Sequence, residues 1–222
     1  MLTRPTVRRN LLMPVMMLTV FALLAAGPAG LLAAETGSGT DGTDAGEAPR
    51  VLTLLGAQFF PSEFFEPYYA LKAAGYEVDV ASGSGPTVKA GTPFHGAMPL
   101  SEVNAEDYDA LFVPGGKGPE NLEKYPRALE LTRHFQKQNK LMGAICHGPR
   151  LLMTADALGQ RTHTVLYMVK DELPEYWRQK ARAAYVDQPA VVDRNLVTSR
   201  CPWDAVPFTK TPSTTSRSRS RS

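Results

Sequence analysis

Short apolar segments alternate with longer helical segments through the middle of the chain, and this alternation limits the fold more than any other feature. The apolar run at residues 51–55 ends at Gly56, as expected for a strand buried on both faces of a sheet. Parallel strands need crossovers of helix length. We predict strands at 51–55, 76–81, 108–113 and 141–145, helices at 62–74, 121–139 and 147–157, and a loop or small hairpin at 82–100. This order predicts an α/β fold with a mainly parallel sheet covered on both faces.

The two ends of the chain have a different composition. Residues 1–34 combine an Arg-rich start, an apolar run and small residues before Glu35, which predicts a secretory signal peptide and an exported protein. An uncleaved membrane anchor is the alternative, and Arg8 with Arg9 leaves twin-arginine export open. We expect residues 35–50 to form a disordered linker, 51–208 the folded domain and 209–222 a disordered Ser/Arg tail.

Charge and cysteine content exclude several classes of function. Residues 51–208 carry 16 basic and 18 acidic side chains, so they lack the basic surface that nucleic-acid binding requires. Two cysteines are too few for a four-ligand zinc site or a disulfide framework. We therefore predict no cofactor, no metal and no nucleic-acid partner.

Cys146 is the candidate nucleophile. It follows an apolar strand and precedes a helix, so a tight turn between small neighbours should expose its side chain above the sheet. The amino end of that helix should lower the pKa of the thiol. Backbone N–H groups of Gly115, Gly116 and His147 could hold an oxyanion. The alternative is a buried structural cysteine, because cysteine packs as a small hydrophobe.

Several segments together resemble one known family. Ala-Ile-Cys-His-Gly-Pro at 144–149, Tyr-Asp-Ala-Leu-Phe-Val-Pro-Gly-Gly at 108–116, the segment 69–78, and 185–187 running to 195–200 occur in the order found in the ThiJ/PfpI family. This family belongs to the class I glutamine amidotransferase-like superfamily, and the chain is most similar to its intracellular-protease-like branch. The resemblance implies a flavodoxin-like three-layer sandwich.

The resemblance also implies a set of catalytic residues. Members of this branch use a cysteine, the adjacent histidine and an acid from a neighbouring subunit, which correspond here to Cys146, His147 and Glu120. Because the side chains of adjacent residues should diverge, we expect the carboxylate to orient the His147 ring. This arrangement implies a homo-oligomer. Without the resemblance, Glu120 would be interpreted as a solvated carboxylate near a helix start.

Two departures from the family are expected. Members usually carry a glutamate after the first strand that contacts the cysteine, and a gapless count places Phe60 there, with Glu63 one turn further on. That substitution argues against glyoxalase or deglycase activity. After 199–204 the family's closing C-terminal helix is expected to be missing, since the chain continues into Ser-Arg repeats.

His163 and Cys201 are two further candidates, for a catalytic pair and for a disulfide bond. A true glutamine amidotransferase needs a late His-x-Glu pair, and His163, the last histidine, is followed by Thr-Val. Cys201 could bond to Cys146 in an oxidising compartment, but a free or packed thiol is the favoured interpretation.

The sequence thus predicts an exported cysteine hydrolase acting on a peptide, an amide or a small molecule with a reactive carbonyl. Its membrane association would depend on an uncleaved signal peptide. The alternative is a non-catalytic stress-protective or binding module that retains the cysteine turn as a relic.

Overall fold

The computed structural model describes residues 48–169 and 184–201 of the chain. The strands are β1 (Arg50–Leu54), β2 (Glu77–Ser82), β3 (Thr87–Val88), β4 (Phe94–His95), β5 (Met98–Pro99), β6 (Ala110–Val113), β7 (Leu141–Ile145), β8 (Ala190–Asp193) and β9 (Leu196–Ser199). The helices are α1 (Pro61–Ala73), α2 (Gly118–Leu122), α3 (Pro126–Lys137) and α4 (Gly148–Thr154). Two short 3₁₀ turns at Leu100–Glu102 and Ala105–Asp107 lead into β6.

Seven of these strands form one twisted sheet in the order β5-β2-β1-β6-β7-β9-β8. All neighbouring pairs are parallel except β8 and β9, which form an antiparallel pair at one edge. The register pairs Val113 with Ala144 and Ile145 with Ser199, so β6, β7 and β9 end side by side. Ligands of such sheets bind at the carboxyl ends of the strands, which is the edge where Gly115 and Cys146 lie.

Helices cover both faces of the sheet, as the sequence predicted. α1 buries Phe64 and Leu71 on one face, against apolar residues of β1, β2 and β6. On the other face, α2, α3 and α4 contribute Leu122, Leu131 and Leu152 to the largest apolar cluster. The central strands β6 and β7 are therefore apolar and buried along their whole length, because neither face of the sheet meets water there. The predicted α/β three-layer architecture is confirmed.

One local prediction was wrong, and one hairpin was not predicted. The helix predicted at 121–139 is divided into α2 and α3, because Tyr125 precedes Pro126 and takes an extended conformation that ends a helix. The hairpin of β8 and β9 was not predicted as strands. Residues 82–100 do contain a small hairpin, formed by β3 and β4.

Several predictions concern residues outside the described part of the chain. These are the signal peptide at 1–34, nearly all of the linker at 35–50, the missing closing helix and the tail at 209–222. Across residues 48–169 and 184–201, no helix combines the length and the apolar character needed to cross a membrane.

Candidate active site

The turn at Cys146 has the geometry expected of a nucleophile elbow. Cys146 has a φ of 60°, a left-handed conformation that costs a non-glycine residue about 1–2 kcal/mol. Its N–H donates to the Ser199 carbonyl at 2.8 Å, and its own carbonyl accepts from the Leu166 N–H at 3.2 Å. The following Gly148 lies so close to the Val113 carbonyl that a Cβ there would collide with it. The surrounding chain therefore holds Cys146 in its strained conformation.

The glycine turn after β6 faces this cysteine. Gly116 has a φ of 72°, and the backbone N–H groups of Gly116 and His147 both hydrogen-bond to the Cys146 sulfur. They are the groups best placed to donate to a negative charge that develops beside the sulfur. The Gly115 N–H has a different partner, since it donates to the Glu63 carboxyl. Of the three N–H groups predicted to hold an oxyanion, two therefore point at the sulfur and one at a carboxyl group.

A network of backbone contacts ties the loop after β1 to the glycine turn. Phe59 and Gly116 form an antiparallel bridge, and the Lys117 N–H donates to the Gln58 carbonyl at 2.9 Å. On the other side, the Gln58 N–H donates to the Lys89 carbonyl at 2.7 Å. Gln58 adopts a φ of 61° within this clamp. The clamp fixes the point at which α1 begins, and so fixes the direction of the side chains in its first turn.

The acid that contacts the cysteine is Glu63. It lies in the first turn of α1, is 2% exposed, and its carboxyl group lies beside the Cys146 side chain at Gly115. Burial raises its pKa from 4.5 to about 7, although the neighbouring Cys146 thiol and Gly115 N–H oppose that rise. The prediction that Phe60 takes this place was wrong. Phe60 precedes the helix as its N-cap and is 43% exposed, whereas Glu63 points into the site.

The prediction of a lowered pKa for the Cys146 thiol was also wrong. Burial, with the side chain 6% exposed, raises the pKa of Cys146, and so does the charge of the neighbouring Glu63 carboxylate. The N–H groups of Gly116 and His147 oppose this effect without overcoming it. Two acids in contact inside a buried site cannot both ionise easily, so near neutral pH the pair retains one proton.

His147 contacts the nucleophile directly. Its Nδ1 lies 3.3 Å from the Cys146 Sγ, within hydrogen-bonding distance, and the ring is half-buried. The two side chains were expected to diverge, but the left-handed turn at Cys146 brings them together instead. The histidine can therefore exchange a proton with the sulfur within one chain.

Glu120 is exposed in the first turn of α2. A bidentate ion pair fixes this region to the nucleophile helix α4: Arg150 Nε donates to Glu123 Oε1 at 2.8 Å and Nη2 to Oε2 at 3.1 Å. Thr154 adds a third hydrogen bond to Glu123 at 2.9 Å. Glu120 is thus held on a rigid surface near the site, accessible to a neighbouring subunit. Its predicted pairing with His147 stays a prediction.

Other predicted residues lie elsewhere. His163 is 1% exposed and its Nδ1 donates to the Arg161 carbonyl at 3.0 Å. Cys201 is buried just beyond β9. In the described residues, no cluster of three His, Cys, Asp or Glu side chains could hold a metal ion.

The sequence did contain a signal for Glu63. Glu63, Pro67 and Leu71 follow one another at intervals of four, which puts them on one face of a helix. Leu71 is on the buried face of α1, so a carboxylate on the same stripe is an exception to the usual placement of charged residues. A buried acid on the apolar face of a helix is a candidate functional group.

The chain is similar in sequence to known proteins. A family model described as the DJ-1/PfpI family matches residues 49–214. A Pyrococcus abyssi protein named as a deglycase is 36% identical over 157 residues, covering 70% of this chain and 92% of that protein. A Bacillus subtilis protein named "Putative cysteine protease YraA" is 34% identical over 164 residues, covering 72% of this chain and 94% of that protein.

The fold is also similar to solved structures. The crystal structure of Drosophila melanogaster DJ-1beta superposes with a TM-score of 0.63 and 27% identity, covering 72% of this chain and 85% of the other. The residues that the family model matches, 49–214, contain every strand of the sheet, the cysteine turn and the glycine turn described above. The chain belongs to the DJ-1/PfpI family.

Proposed function

We propose that this protein is a cysteine-dependent hydrolase of the deglycase type, which removes carbonyl-derived adducts from amino or thiol groups. The observation that carries the proposal is the position of the buried Glu63 carboxyl group beside the Cys146 side chain, both of them against Gly115. The argument against such chemistry was the absence of an acid beside the cysteine. Glu63 supplies that acid.

The geometry supports a definite first step. With a pKa of about 7, Glu63 is ionised in a large part of the protein near neutral pH, while the raised pKa of Cys146 keeps its thiol protonated. As Sγ attacks a carbonyl carbon, the S–C bond forms and the thiol proton moves to the carboxylate. The electron pair of the C=O bond moves to oxygen, where the N–H groups of Gly116 and His147 can donate to it. A base with a pKa near the working pH suits this role.

A relative supports the same chemistry. The match to the Pyrococcus abyssi protein named as a deglycase covers 92% of that protein. Peptide hydrolysis is the second candidate. It is supported by the contact of 3.3 Å between Cys146 Sγ and His147 Nδ1, and by the name of the Bacillus subtilis relative.

One assay separates these activities. The purified protein is given the methylglyoxal adduct of N-acetylcysteine, free methylglyoxal, and an unmodified protein such as casein. With excess aminoguanidine present to trap free methylglyoxal, we expect the wild type to release N-acetylcysteine from the adduct faster than the spontaneous rate, and Cys146→Ser to give only the spontaneous rate. Consumption of free methylglyoxal alone would contradict the deglycase proposal, and casein cleavage that depends on Cys146 would establish the peptidase. No turnover in any arm would support the non-catalytic alternative.

We also propose that the chain is exported and that it is cleaved near Glu35, because residues 1–34 have the layout of a signal peptide. Amino-terminal sequencing of the protein from the native host tests this. Intact Met1 on protein from the cytoplasmic fraction would contradict it.

A homo-oligomer is the third part of the proposal. Glu120 is exposed on a helix that is anchored to the nucleophile helix, so a neighbouring subunit could approach it there. The expected substrate is a small molecule or a peptide, with no nucleic-acid partner.

A further inference from the structure

Some exposed apolar side chains belong to segments that border the candidate active site. In the described residues, five large apolar side chains are exposed: Phe60, Tyr69, Tyr167, Met168 and Val192. We call Phe60, Tyr167 and Met168 the apolar rim, because each belongs to a segment whose backbone is hydrogen-bonded to the cysteine turn or the glycine turn. Exposed apolar side chains on segments that border a reactive site can contact a substrate there.

Phe60 forms one side of the rim. Its N–H donates to the Gly115 carbonyl at 3.3 Å, and a Cβ on Gly115 would lie only 2.7 Å from the Cβ of Cys146. A single hydrogen bond therefore joins Phe60 to Gly115, and Gly115 lies against the nucleophile. Its ring is 43% exposed, although the neighbouring Phe59 and Phe64 are buried in the aromatic cluster below.

Tyr167 and Met168 form the opposite side. The Leu166 N–H donates to the Cys146 carbonyl at 3.2 Å, and the Val169 N–H donates back to the Leu166 carbonyl at 2.8 Å. The two residues at the centre of this turn, Tyr167 and Met168, are 61% and 47% exposed, while Val169 is buried.

The two sides approach Cys146 from different strands. The segment before Leu166 runs past β9, where the Thr164 N–H donates to Thr198 Oγ1 at 2.9 Å. Phe60 is attached to the turn after β6. Because β7 lies between β6 and β9 in the sheet, the nucleophile lies between the two sides of the rim.

We propose that the apolar rim selects polypeptide substrates that carry apolar side chains on both sides of the reacting residue. This inference rests on the proposed function for the chemistry at Cys146. A free dicarbonyl compound, or an adduct of a single amino acid, reaches the sulfur without touching both sides of the rim. An extended chain, which advances about 3.3 Å per residue, can contact both sides while one of its residues meets Cys146.

The test measures binding separately from turnover. Two fluorescent peptides contain one cysteine each, flanked on both sides either by Phe and Leu or by Ser and Gly. Their binding to the full chain carrying Cys146→Ser is followed by fluorescence anisotropy. We expect the apolar peptide to bind about tenfold more tightly, in line with the discrimination that one apolar contact gives.

Substitutions in the same background locate the effect. Phe60→Ser and Met168→Ser should each reduce the preference for the apolar peptide several-fold, and the double variant should bring the ratio close to one. Val192→Ser is the matched control, because Val192 has the same 47% exposure as Met168 but lies on β8 at the edge of the sheet. It should keep the full preference.

Several outcomes would overturn the inference. Equal binding of the two peptides excludes an apolar selection, and a preference unchanged in the double variant assigns it to other residues. If Phe60→Ser or Met168→Ser converts an oligomer to a monomer in size-exclusion chromatography, the rim is an interface between copies of this chain. Absence of adduct turnover in the wild type overturns the proposed function alone, since the binding measurement does not depend on it.

Discussion

The carboxyl group of Glu63 lies beside the side chain of Cys146 in a site where both residues are almost fully shielded from solvent. Burial raises the pKa of both groups, and the Glu63 carboxylate raises that of the thiol further, whereas the thiol lowers the pKa of Glu63. The pair therefore carries a single negative charge over a wide range of pH. This property has consequences for stability as well as for reactivity.

The first prediction concerns stability. Glu63 has a raised pKa in the folded state, so between pH 4.5 and about 7 the folded protein binds a proton that the unfolded chain has lost. Stability must then fall as the pH rises through this window. A rise in pKa from 4.5 to about 7 corresponds to about 3 kcal/mol. The advantage of Glu63→Gln over the wild type should therefore increase between pH 4.5 and pH 8 by up to that amount.

Urea unfolding at the two pH values measures this difference. Glu66→Gln is the matched control, because Glu66 lies in the same helix but is exposed. A free energy of unfolding that changes equally in both variants would show that Glu63 does not titrate as described.

The second prediction concerns the thiol. The Glu63 carboxylate is one cause of the raised pKa of Cys146, so Glu63→Gln should lower that pKa by removing a negative charge in contact with the sulfur. Iodoacetamide labelling is measured from pH 5 to pH 10, with the Cys146 and Cys201 peptides quantified separately by mass spectrometry. Above pH 7 the labelling rate of Cys146 should be higher in Glu63→Gln than in the wild type and unchanged in Glu66→Gln. A lower rate in Glu63→Gln would mean that the carboxyl group mainly stabilises the thiolate.

The third prediction concerns the glycine turn. A Cβ at position 115 would collide with the Glu63 carboxyl and lie 2.7 Å from Cys146 Cβ, so Gly115→Ala must push the two reacting groups apart. A displacement of this kind typically costs about 100-fold in rate. We expect adduct turnover to fall by about that factor. Gly91→Ala is the control, since a Cβ at that glycine meets no atom within 4 Å.

Thermal melting of both glycine variants checks that the loss arises in the site. If Gly115→Ala retains full activity, the contact between Glu63 and Cys146 does not matter for the reaction. If it does not fold while Gly91→Ala does, the collision is too severe to relax, which supports the geometry, and Glu63→Gln then tests the contact through its effect on adduct turnover.

Much of the site could be predicted from local sequence. The strand β7 and the turn at Cys146 follow from an apolar run, a cysteine between small residues and a helix start, and each of these signals is local. The strand ends that face each other follow from the parallel order of β6 and β7. These predictions required no knowledge of how distant segments pack.

The position of Glu63 could not be predicted in the same way. It depends on the bridge between Phe59 and Gly116, which joins two loops separated by more than fifty residues and sets the start of α1. The pKa of Cys146 was predicted in the wrong direction for a related reason. A helix amino end favours a thiolate, but the burial of the thiol and the nearby carboxylate, which only the assembled fold creates, outweigh it.

The last prediction concerns Glu120. If a neighbouring subunit's Glu120 orients His147, then Glu120→Gln should keep the fold and assembly but reduce turnover by two or more orders of magnitude, as for the orienting carboxylate of a serine triad. Glu102→Gln, at another exposed glutamate, should have no effect. Mixing Cys146→Ser with Glu120→Gln should restore activity, because a mixed interface can pair an intact cysteine with an intact acid. Random assembly of dimers would restore roughly a quarter of the wild-type rate. An active monomer, or a mixed assembly that stays inactive, would show that the acid does not act across an interface.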